Sequence, residues 1–473
     1  MSAKRTPTEE QAAIIAAFNR GVNIVAEAGA GTGKTTLLTM LADEQPSKRI
    51  LYVAYNKALQ VEATAKFAKH VTCKTAHSLA FGAVGRQYVS RLNGPRVPAW
   101  KVAKALNIRG SQVGDVDLDP SLIARLALNT VRSFCHSASP EITRWHVPQQ
   151  QGLEEFHTDL QDVVLPVAQA VWNDITSPSG HVVKFEHDHY LKIWQLSGPR
   201  LPYDIILFDE AQDANPVIAD IIESQSDHSQ IVMVGDRNQA IYGWNGAIDA
   251  MSKFGGERYL LSQSFRFGQA VADTANLFLA RLGSDMVLKG FDRINSVVEE
   301  ITDTPDAVLC RTNAGALQAA MGYLADDQKV AIVGGGDSLR NLAEAAVSLL
   351  AGAGTKHPEL YAFKSWDEVR KYVTEDEAGS DLRVFVKLID QLGPEAIIDA
   401  VNRLVDEKNA DVVISTAHKS KGREWPRVVV GGDFPQPSEE KAPSDAELML
   451  AYVTVTRAQQ VLDLGGLAWV TEV

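Results

Sequence analysis

The chain has 473 residues and is 45% hydrophobic, and its 46 lysine and arginine residues against 59 aspartate and glutamate residues give a net charge of −13. A chain of this length should form more than one domain, because single hydrophobic cores stop growing near about 250 to 300 residues. Three scattered cysteines exclude a disulfide framework and indicate a reducing compartment. Since the sequence shows neither a signal-peptide pattern nor an apolar run of about 20 residues, we expect a soluble protein without a membrane partner, cytoplasmic in a bacterium or phage and nuclear in a eukaryote.

The first predicted strand, Val22–Ala26, runs into a glycine-rich segment that is followed by the helix-like run Leu37–Leu41. Glycines let the backbone curl so that N–H groups point at phosphate oxygens, at a helix N-terminus whose dipole favours negative charge. Lys34 is placed to reach the outer phosphates, and the Thr35 hydroxyl to ligate Mg²⁺. The alternative is an ordinary glycine-rich turn, which the strand before and the helix after argue against. The residues expected to surround the nucleotide are Ala28, which replaces a usual glycine, Gly29, Ala30, Gly31, Thr32, Gly33, Lys34, Thr35 and Thr36.

A second apolar run, Tyr203–Phe208, has the length of a buried parallel strand and ends in an acidic pair. Ligands of open α/β sheets lie beyond the carboxyl ends of the strands. We therefore expect Asp209 to ligate Mg²⁺ and Glu210 to orient and deprotonate an attacking water. The alternative is a solvated acidic strand end, which is common by itself. The phosphate-binding segment that precedes this pair gives the catalytic interpretation its weight.

A third predicted strand, Gln230–Gly235, leads into a segment that resembles motif III of superfamily 1 helicases of the UvrD/Rep type. The resemblance implies that Gln239 senses the γ-phosphate, and that Tyr242, Trp244 and Asn245 contact single-stranded DNA. Stacking of a base on an aromatic ring contributes about 1 to 3 kcal/mol and is indifferent to sequence. The alternative for Trp244 is a core tryptophan, but its glycine and asparagine neighbours favour an exposed loop.

Further segments resemble the remaining motifs of that family, in order along nearly the whole chain. By this resemblance Gln11 reads the adenine edge, Phe265 stacks on the base, Glu424 holds the ribose, Arg266 touches the γ-phosphate, and Arg457 is an arginine finger. The two arginines come from the C-terminal half, so we expect ATP to lie between two domains and its hydrolysis to be tied to closing a cleft. Arginine fingers contribute on the order of 10³ to 10⁵ in rate.

The same resemblance implies a DNA-binding surface, and local clusters of lysine offset the acidic total charge. The residues expected to contact DNA, besides those of motif III, are Tyr55, Asn56, Lys57, Thr75, His77, Thr416, His418 and Lys421. By the same resemblance, Tyr190, Lys192 and Trp194 of the first insertion are also expected to touch DNA.

The predicted fold class is α/β, with two RecA-like P-loop domains that have parallel sheets, each interrupted by a mainly helical insertion. Helical patterns at 121–128 and 160–165 belong to the first insertion, and glycine, proline and acidic residues at 110–120 predict a loop within it. The expected segments are 1–80 and 201–262 for the first domain, 81–200 for its insertion, 263–345 and 411–473 for the second domain, and 346–410 for a short second insertion.

The wording of several motifs is most similar to the F-box DNA helicases, without a recognisable F-box before Gln11. The resemblance implies an ATP-dependent DNA helicase that moves 3′ to 5′ on single-stranded DNA, acts at junctions with duplex and functions as a monomer. One alternative is a translocase that strips proteins from DNA, and another is a nucleotide-gated DNA-binding switch with little turnover. Three histidines at 181, 187 and 189 also permit a metal site, which the absence of a nearby cysteine disfavours.

Overall fold

The computed structural model describes residues 6–92, 94, 97–150, 152–241, 250–357, 360–361, 363–375, 380–437 and 442–471. The chain divides into two compact units, one of Met1–Ala28 and Gly33–Leu261, the other of Gly29–Thr32 and Ser262–Val473. The main division, after Leu261, lies one residue from the expected boundary after residue 262. No helix in the described part of the chain is long and apolar enough to span a membrane.

The first unit contains eleven α-helices and eight strands within its described residues. The helices are α1 (Glu9–Asn19), α2 (Lys34–Glu44), α3 (Lys57–Lys66), α4 (Ala76–Ala83), α5 (Val89–Leu92), α6 (Ala99–Ala105), α7 (Pro120–Cys135), α8 (His157–Thr176), α9 (His187–Leu196), α10 (Pro216–Glu223) and α11 (Ala250–Lys253). The strands are β1 (Ile24–Ala28), β2 (Ile50–Ala54), β3 (Val71–Thr75), β4 (Ser111–Val113), β5 (Val116–Leu118), β6 (Ile205–Phe208), β7 (Gln230–Gly235) and β8 (Glu257–Leu261).

Six of these strands form one sheet in the order β3-β2-β6-β7-β1-β8, and every pairing in it is parallel. The central strands are almost fully buried, which explains why they appear in the sequence as continuous apolar runs. The predicted third strand has the bounds of β7. The first two predicted strands each begin two residues before the observed strands β1 and β6. Because the strands are parallel, β1, β6 and β7 all end at the same edge of the sheet.

Helices cover both faces of this sheet. On one face, Phe18 of α1 and Leu41 of α2 pack with Ile24 and Tyr52 of the strands. On the other face, helices from the expected first insertion share a single core with the sheet, in which Leu126 and Leu191 lie with Leu51, Val53 and Phe208. The helices of residues 81–200 are therefore part of the body of the first unit.

The expectation of a loop at 110–120 was wrong in part, because β4 and β5 pair there as an antiparallel hairpin. Gly114 adopts a φ of +58° at the turn, and Val113 and Leu118 are buried. Burial of these two apolar side chains stabilises the hairpin despite the turn-forming composition of the segment.

The second unit contains a second six-stranded parallel sheet, in the order β11-β12-β10-β13-β14-β9. Its strands are β9 (Val297–Val298), β10 (Ala307–Cys310), β11 (Val330–Ile332), β12 (Val412–Thr416), β13 (Trp425–Val430) and β14 (Ala458–Asp463). Its helices are α12 (Gln269–Arg281), α13 (Asn313–Ala325), α14 (Asp337–Leu350), α15 (Trp366–Glu375), α16 (Ser380–Leu392), α17 (Pro394–Asn402), α18 (Ala417–Ser420) and α19 (Asp445–Val455). The predicted α/β class with two parallel sheets is confirmed.

The expected start of the second insertion, at residue 346, falls inside α14. Leu349 of α14, Trp366 of α15 and Ile389 of α16 belong to the same core as Val308 and Ile414 of the sheet. The helices of residues 346–410 thus extend the core of the second unit, and the boundary drawn from the sequence does not coincide with a loop.

Candidate nucleotide site and nucleic-acid-contacting residues

The glycine-rich segment forms a tight turn between the end of β1 and the start of α2. Gly31 and Gly33 have φ angles of +74° and +80°, in the left-handed region that favours glycine. The backbone N–H and the hydroxyl of Thr32 both donate to the carbonyl of Gly29, at 3.4 and 2.9 Å. Gly33 is the N-cap of α2 and has no side chain to satisfy the first-turn N–H groups, so this helix start is suited to an anion such as phosphate.

Lys34, the first residue of α2, forms an ion pair with the catalytic-base candidate Glu210. The Lys34 Nζ lies 3.2 Å from Oε1 of Glu210, and both side chains are mostly buried. Burial opposes the charge of Lys34, but the carboxylates of Glu210, Asp236 and Asp209 outweigh that cost and raise its pKa. Lys34 therefore stays positively charged, as phosphate binding requires.

Asp209 directly follows β6 and is held on both of its oxygens. The hydroxyl of Tyr52, on β2, donates to Oδ2 at 2.6 Å, and the backbone N–H of Glu210 donates to Oδ1 at 2.9 Å. Burial, followed by the charge of Glu210, raises the pKa of Asp209 to about 6. A carboxylate that is costly to ionise alone is suited to a cation, and the oxygen donors of Asp209 and Thr35 fit the preference of Mg²⁺.

Glu210 adopts a φ of +51°, which is unusual for a residue with a side chain. Its Oε2 accepts a hydrogen bond of 2.6 Å from Nε2 of Gln212, whose Oε1 in turn accepts the backbone N–H of Asp236 at 3.0 Å. The Oδ2 of Asp236 accepts from Nε2 of Gln239 at 2.6 Å. A continuous polar chain thus joins the base candidate to the γ-phosphate sensor candidate.

Gln212, Asp236 and Tyr52 are site residues that the sequence analysis missed. Gln212 could have been suspected, because it lies two residues after the acidic base candidate. Tyr52 carried no such signal, because it lies within an apolar strand. Its hydroxyl reaches Asp209 only because β2 and β6 are neighbours in the sheet.

Gln11 has a structural role in addition to the one expected. It is the third residue of α1, and its side-chain oxygen accepts the backbone N–H of Thr8 at 3.1 Å while Thr8 Oγ1 accepts the N–H of Gln11 at 3.2 Å. This reciprocal capping box stabilises the start of the helix. The adenine contact of Gln11 stays a prediction.

In the second unit, Arg266, which is expected to contact the γ-phosphate, binds Glu424, which is expected to contact the ribose. Arg266 Nε donates to Oε2 of Glu424 at 2.5 Å, and its NH1 donates to the carbonyl of Thr456 at 3.1 Å. Arg457 is only 1% exposed, with its Nε donating to the Val453 carbonyl at 2.8 Å. The finger role of Arg457 stays a prediction.

Phe265 differs from these polar residues because its ring is 38% exposed. The ring meets Phe291 edge-on, with 5.3 Å between centroids. An exposed, braced aromatic face is suited to stacking on a base, as the resemblance implies.

Several of the expected DNA contacts lie at helix N-termini. Asn56, Thr75 and Thr416 are the N-caps of α3, α4 and α18, and each side chain accepts a backbone N–H of the first turn. Lys57, next to Asn56, is exposed, and its Nζ donates a hydrogen bond of 2.6 Å to Oε1 of Gln60. Asn56 and Lys57 are exposed, so N–H groups and a positive charge lie there at the protein surface, where a phosphate can approach, whereas Thr75 and Thr416 are buried.

His77, on α4, shares Asp188 of α9 with another histidine that the sequence analysis did not single out. The Asp188 carboxylate lies 3.2 Å from Nε2 of His77 and 3.2 Å from Nε2 of His136. Burial opposes the charge of Asp188, but the two imidazoles outweigh it and hold its pKa far below the usual range.

The remaining expected DNA contacts are partly buried or lie outside the described residues. Tyr55, His418 and Lys421 are partly buried, and burial lowers the pKa of His418. Tyr242, Trp244 and Asn245 lie outside the described residues.

The expectation that Tyr190, Lys192 and Trp194 touch DNA was wrong, because all three are buried in the first unit. Lys192 Nζ donates to the carbonyls of Ser137 and Ser139 at 2.8 and 2.6 Å and is 0% exposed. These bonds connect α9 to the segment that follows α7.

His181, His187 and His189 do not support the metal alternative, since the described residues contain no cluster of three or more metal-ligating side chains.

Two family models match the chain. The model described as an AAA domain matches residues 10–245, and the model described as the UvrD-like helicase C-terminal domain matches residues 362–465. The chain belongs to the UvrD-like family of superfamily 1 helicases.

Curated proteins agree with this family. The chain is 30% identical to F-box DNA helicase protein 1 of Schizosaccharomyces pombe and 28% identical to F-box DNA helicase 1 of Gallus gallus, over 97% and 96% of its length. These matches cover 57% and 48% of the relatives, so the chain spans about half the length of each. A shorter match, 36% identical over 19% of the chain and 9% of the relative, is to RecBCD enzyme subunit RecB of Mycobacterium tuberculosis. The predicted family is confirmed.

Proposed function

We propose that this chain is an ATP-dependent DNA helicase that translocates 3′ to 5′ on single-stranded DNA and separates the duplex ahead of it. The observation that carries the proposal is the pairing of Lys34 with Glu210 beside the buried Asp209, at the carboxyl edge of a parallel sheet. A phosphate-binding lysine, a water-activating carboxylate and a metal-ligating carboxylate are the groups that NTP hydrolysis needs.

In this proposal Asp209 and the Thr35 hydroxyl would hold Mg²⁺, which would supply positive charge to the phosphates of the nucleotide. The start of α2 and Lys34 bind the phosphates, and Phe265, Gln11 and Glu424 bind the nucleoside. ATP that reaches Lys34 competes with Glu210 for the ammonium group. Glu210 would then be released to accept the proton of the attacking water, with Gln212 orienting it.

Arg266 and Arg457 supply positive charge to the transferred phosphoryl group. The DNA-binding residues are those at the helix N-termini together with His77, His418, Lys421 and the motif III segment. Opening one base-pair step costs about 1.4 kcal/mol on average, which one ATP hydrolysis per short step can supply. Single-stranded DNA and its junctions with duplex are the proposed substrates, and we propose that a monomer is sufficient.

The test compares ATP hydrolysis with and without single-stranded DNA, and strand displacement on 3′-tailed and 5′-tailed duplexes. Lys34→Ala should abolish hydrolysis, and Glu210→Gln should retain ATP and DNA binding with little turnover. Lys48→Ala is the matched control, because Lys48 is an exposed lysine of the same unit.

Displacement of 5′-tailed substrates alone would reverse the proposed polarity. Normal turnover in Lys34→Ala, with Lys48→Ala equally active, would contradict the assignment of the nucleotide site. An ATPase rate that does not rise with single-stranded DNA would favour a nucleotide-gated binding switch instead.

A further inference from the structure

The buried hydroxyl of Tyr52 makes one of the short polar contacts of the first unit. Tyr52 lies in the middle of β2, is 1% exposed, and donates to Oδ2 of Asp209 at 2.6 Å. Its ring packs at 4.9 Å from the ring of Phe67, measured between centroids. The parallel pairing of β2 with β6 aligns Tyr52 with Leu207, two residues before Asp209, so the sheet itself fixes this approach.

Two donors fix both oxygens of Asp209. The Glu210 N–H binds Oδ1 from the backbone, and the Tyr52 hydroxyl binds Oδ2 from the neighbouring strand. Two hydrogen bonds from opposite directions define the plane of the carboxylate and remove its rotation about χ2. A carboxylate has about four acceptor sites, so each oxygen keeps capacity for a further partner.

We propose that Tyr52 is a positioning residue that orients the Asp209 carboxylate for the nucleotide-bound Mg²⁺, an inference that rests on the proposed function. A hydrogen bond to an ionised acceptor is stronger than one between neutral groups. Partners of this kind, which bind a metal ligand and not the metal, typically change metal affinity by about 10- to 100-fold when removed.

A purely structural role for Tyr52 makes a different prediction. Removing a buried hydroxyl leaves Oδ2 of Asp209 with one partner fewer and lowers the stability of the unit, whatever the carboxylate does. The two roles are separated by the Mg²⁺ dependence of nucleotide binding, which stability alone does not alter below the unfolding temperature.

The experiment measures the affinity of the full chain for a fluorescent ADP analogue as Mg²⁺ is titrated, with Mn²⁺ binding followed by electron paramagnetic resonance as a direct second readout. Tyr52→Phe keeps the ring and removes only the hydroxyl. We expect the Mg²⁺ concentration for half-maximal effect to rise by roughly 10-fold, while nucleotide affinity at saturating Mg²⁺ changes little.

Two control variants test whether the change in Mg²⁺ requirement is specific to the Tyr52 hydroxyl. Tyr88→Phe removes another buried hydroxyl of the same unit, which donates to the carbonyl of Thr176 at 2.7 Å. Phe67→Leu disturbs the packing of the Tyr52 ring but keeps its hydroxyl. Both controls should lower thermal stability and leave the Mg²⁺ requirement as it is in the unaltered chain.

An unchanged Mg²⁺ requirement in Tyr52→Phe would overturn the positioning role while leaving the proposed function intact. So would a rise of the same size in Tyr88→Phe or Phe67→Leu. If the unaltered chain bound the ADP analogue with no dependence on Mg²⁺, the nucleotide site itself would be wrong, and the positioning role would fall with it.

Discussion

Replacing His189 with glutamine should protect the first unit against acid. His189 is 8% exposed, its ring meets Phe185 edge-on at 5.3 Å, and its Nδ1 accepts the backbone N–H of Glu186 at 2.9 Å. Burial lowers the pKa of His189 to about 4, and the charge of Asp188 only partly opposes this. Protonation would also place a hydrogen on the nitrogen that accepts the helix-capping bond.

Proton linkage gives the sign and size of the change in the free energy of unfolding with pH. Above the unfolded pKa of about 6.5 the ring is neutral in both states, and the contribution of His189 to stability is complete. Between about pH 6.5 and 4 the unfolded chain binds a proton that the folded chain does not, so the free energy of unfolding falls. With these two pKa values the loss is about 2 kcal/mol at pH 5, relative to neutral pH.

Urea unfolding of the unaltered chain and of His189→Gln at pH 7.5 and pH 5.0 measures this loss. Glutamine at the third position of a helix can accept the same N–H but does not titrate, so the variant should lose about 2 kcal/mol less than the unaltered chain between these pH values. His187→Gln, which changes an exposed imidazole of the same helix, should behave like the unaltered chain. Equal losses in the unaltered chain and in His189→Gln would refute this account of the buried ring.

Three further substitutions test other parts of the molecule. Arg91→Ala removes a guanidinium that binds the carboxylate and carbonyl of Asp174 in a buried pair, and should lower the free energy of unfolding by about 3 to 5 kcal/mol in urea titrations. Gln212→Ala should lower the kcat of ATP hydrolysis by roughly 10-fold with little change in KM, because Gln212 orients Glu210. An unchanged kcat would show that Gln212 has no role in hydrolysis. Asn56→Asp keeps an N-cap acceptor but loses the amide donor and adds negative charge, so fluorescence anisotropy should show weaker binding of single-stranded DNA at an unchanged unfolding temperature.

The elements that carry the proposed nucleotide site were predictable from the sequence for a physical reason. Strands buried on both faces must be apolar throughout, so each one stands out and marks where its functional loop begins. The glycine-rich turn and the acidic pair follow β1 and β6 directly. Local sequence therefore placed Lys34 and Asp209 at the same edge of one sheet, although it set the starts of two strands two residues too early.

Contacts between strands were not predictable in the same way. The bond from Tyr52 to Asp209 depends on β2 lying beside β6, and in the sequence the seven helices α3 to α9 and the strands β3 to β5 lie between these two strands. Lys192 shows the opposite error: the family resemblance implied a DNA contact, yet the backbone carbonyls of Ser137 and Ser139, just after α7, bind its charge inside the core. Sequence gives the residue types of a polar contact, whereas the fold decides which of them meet.

Capping and DNA binding make compatible demands on Asn56, Thr75 and Thr416. A cap uses an acceptor, since the side-chain oxygen takes a backbone N–H of its helix. A DNA phosphate is itself an acceptor and needs a donor, which the asparagine amide and the threonine hydroxyls possess in addition to their acceptor atoms. The structural role of these residues is therefore no argument against the proposed DNA contact. At Asn56 it also fixes an exposed side chain at the N-terminus of α3, where the dipole and the N–H groups favour a phosphate, whereas Thr75 and Thr416 are buried.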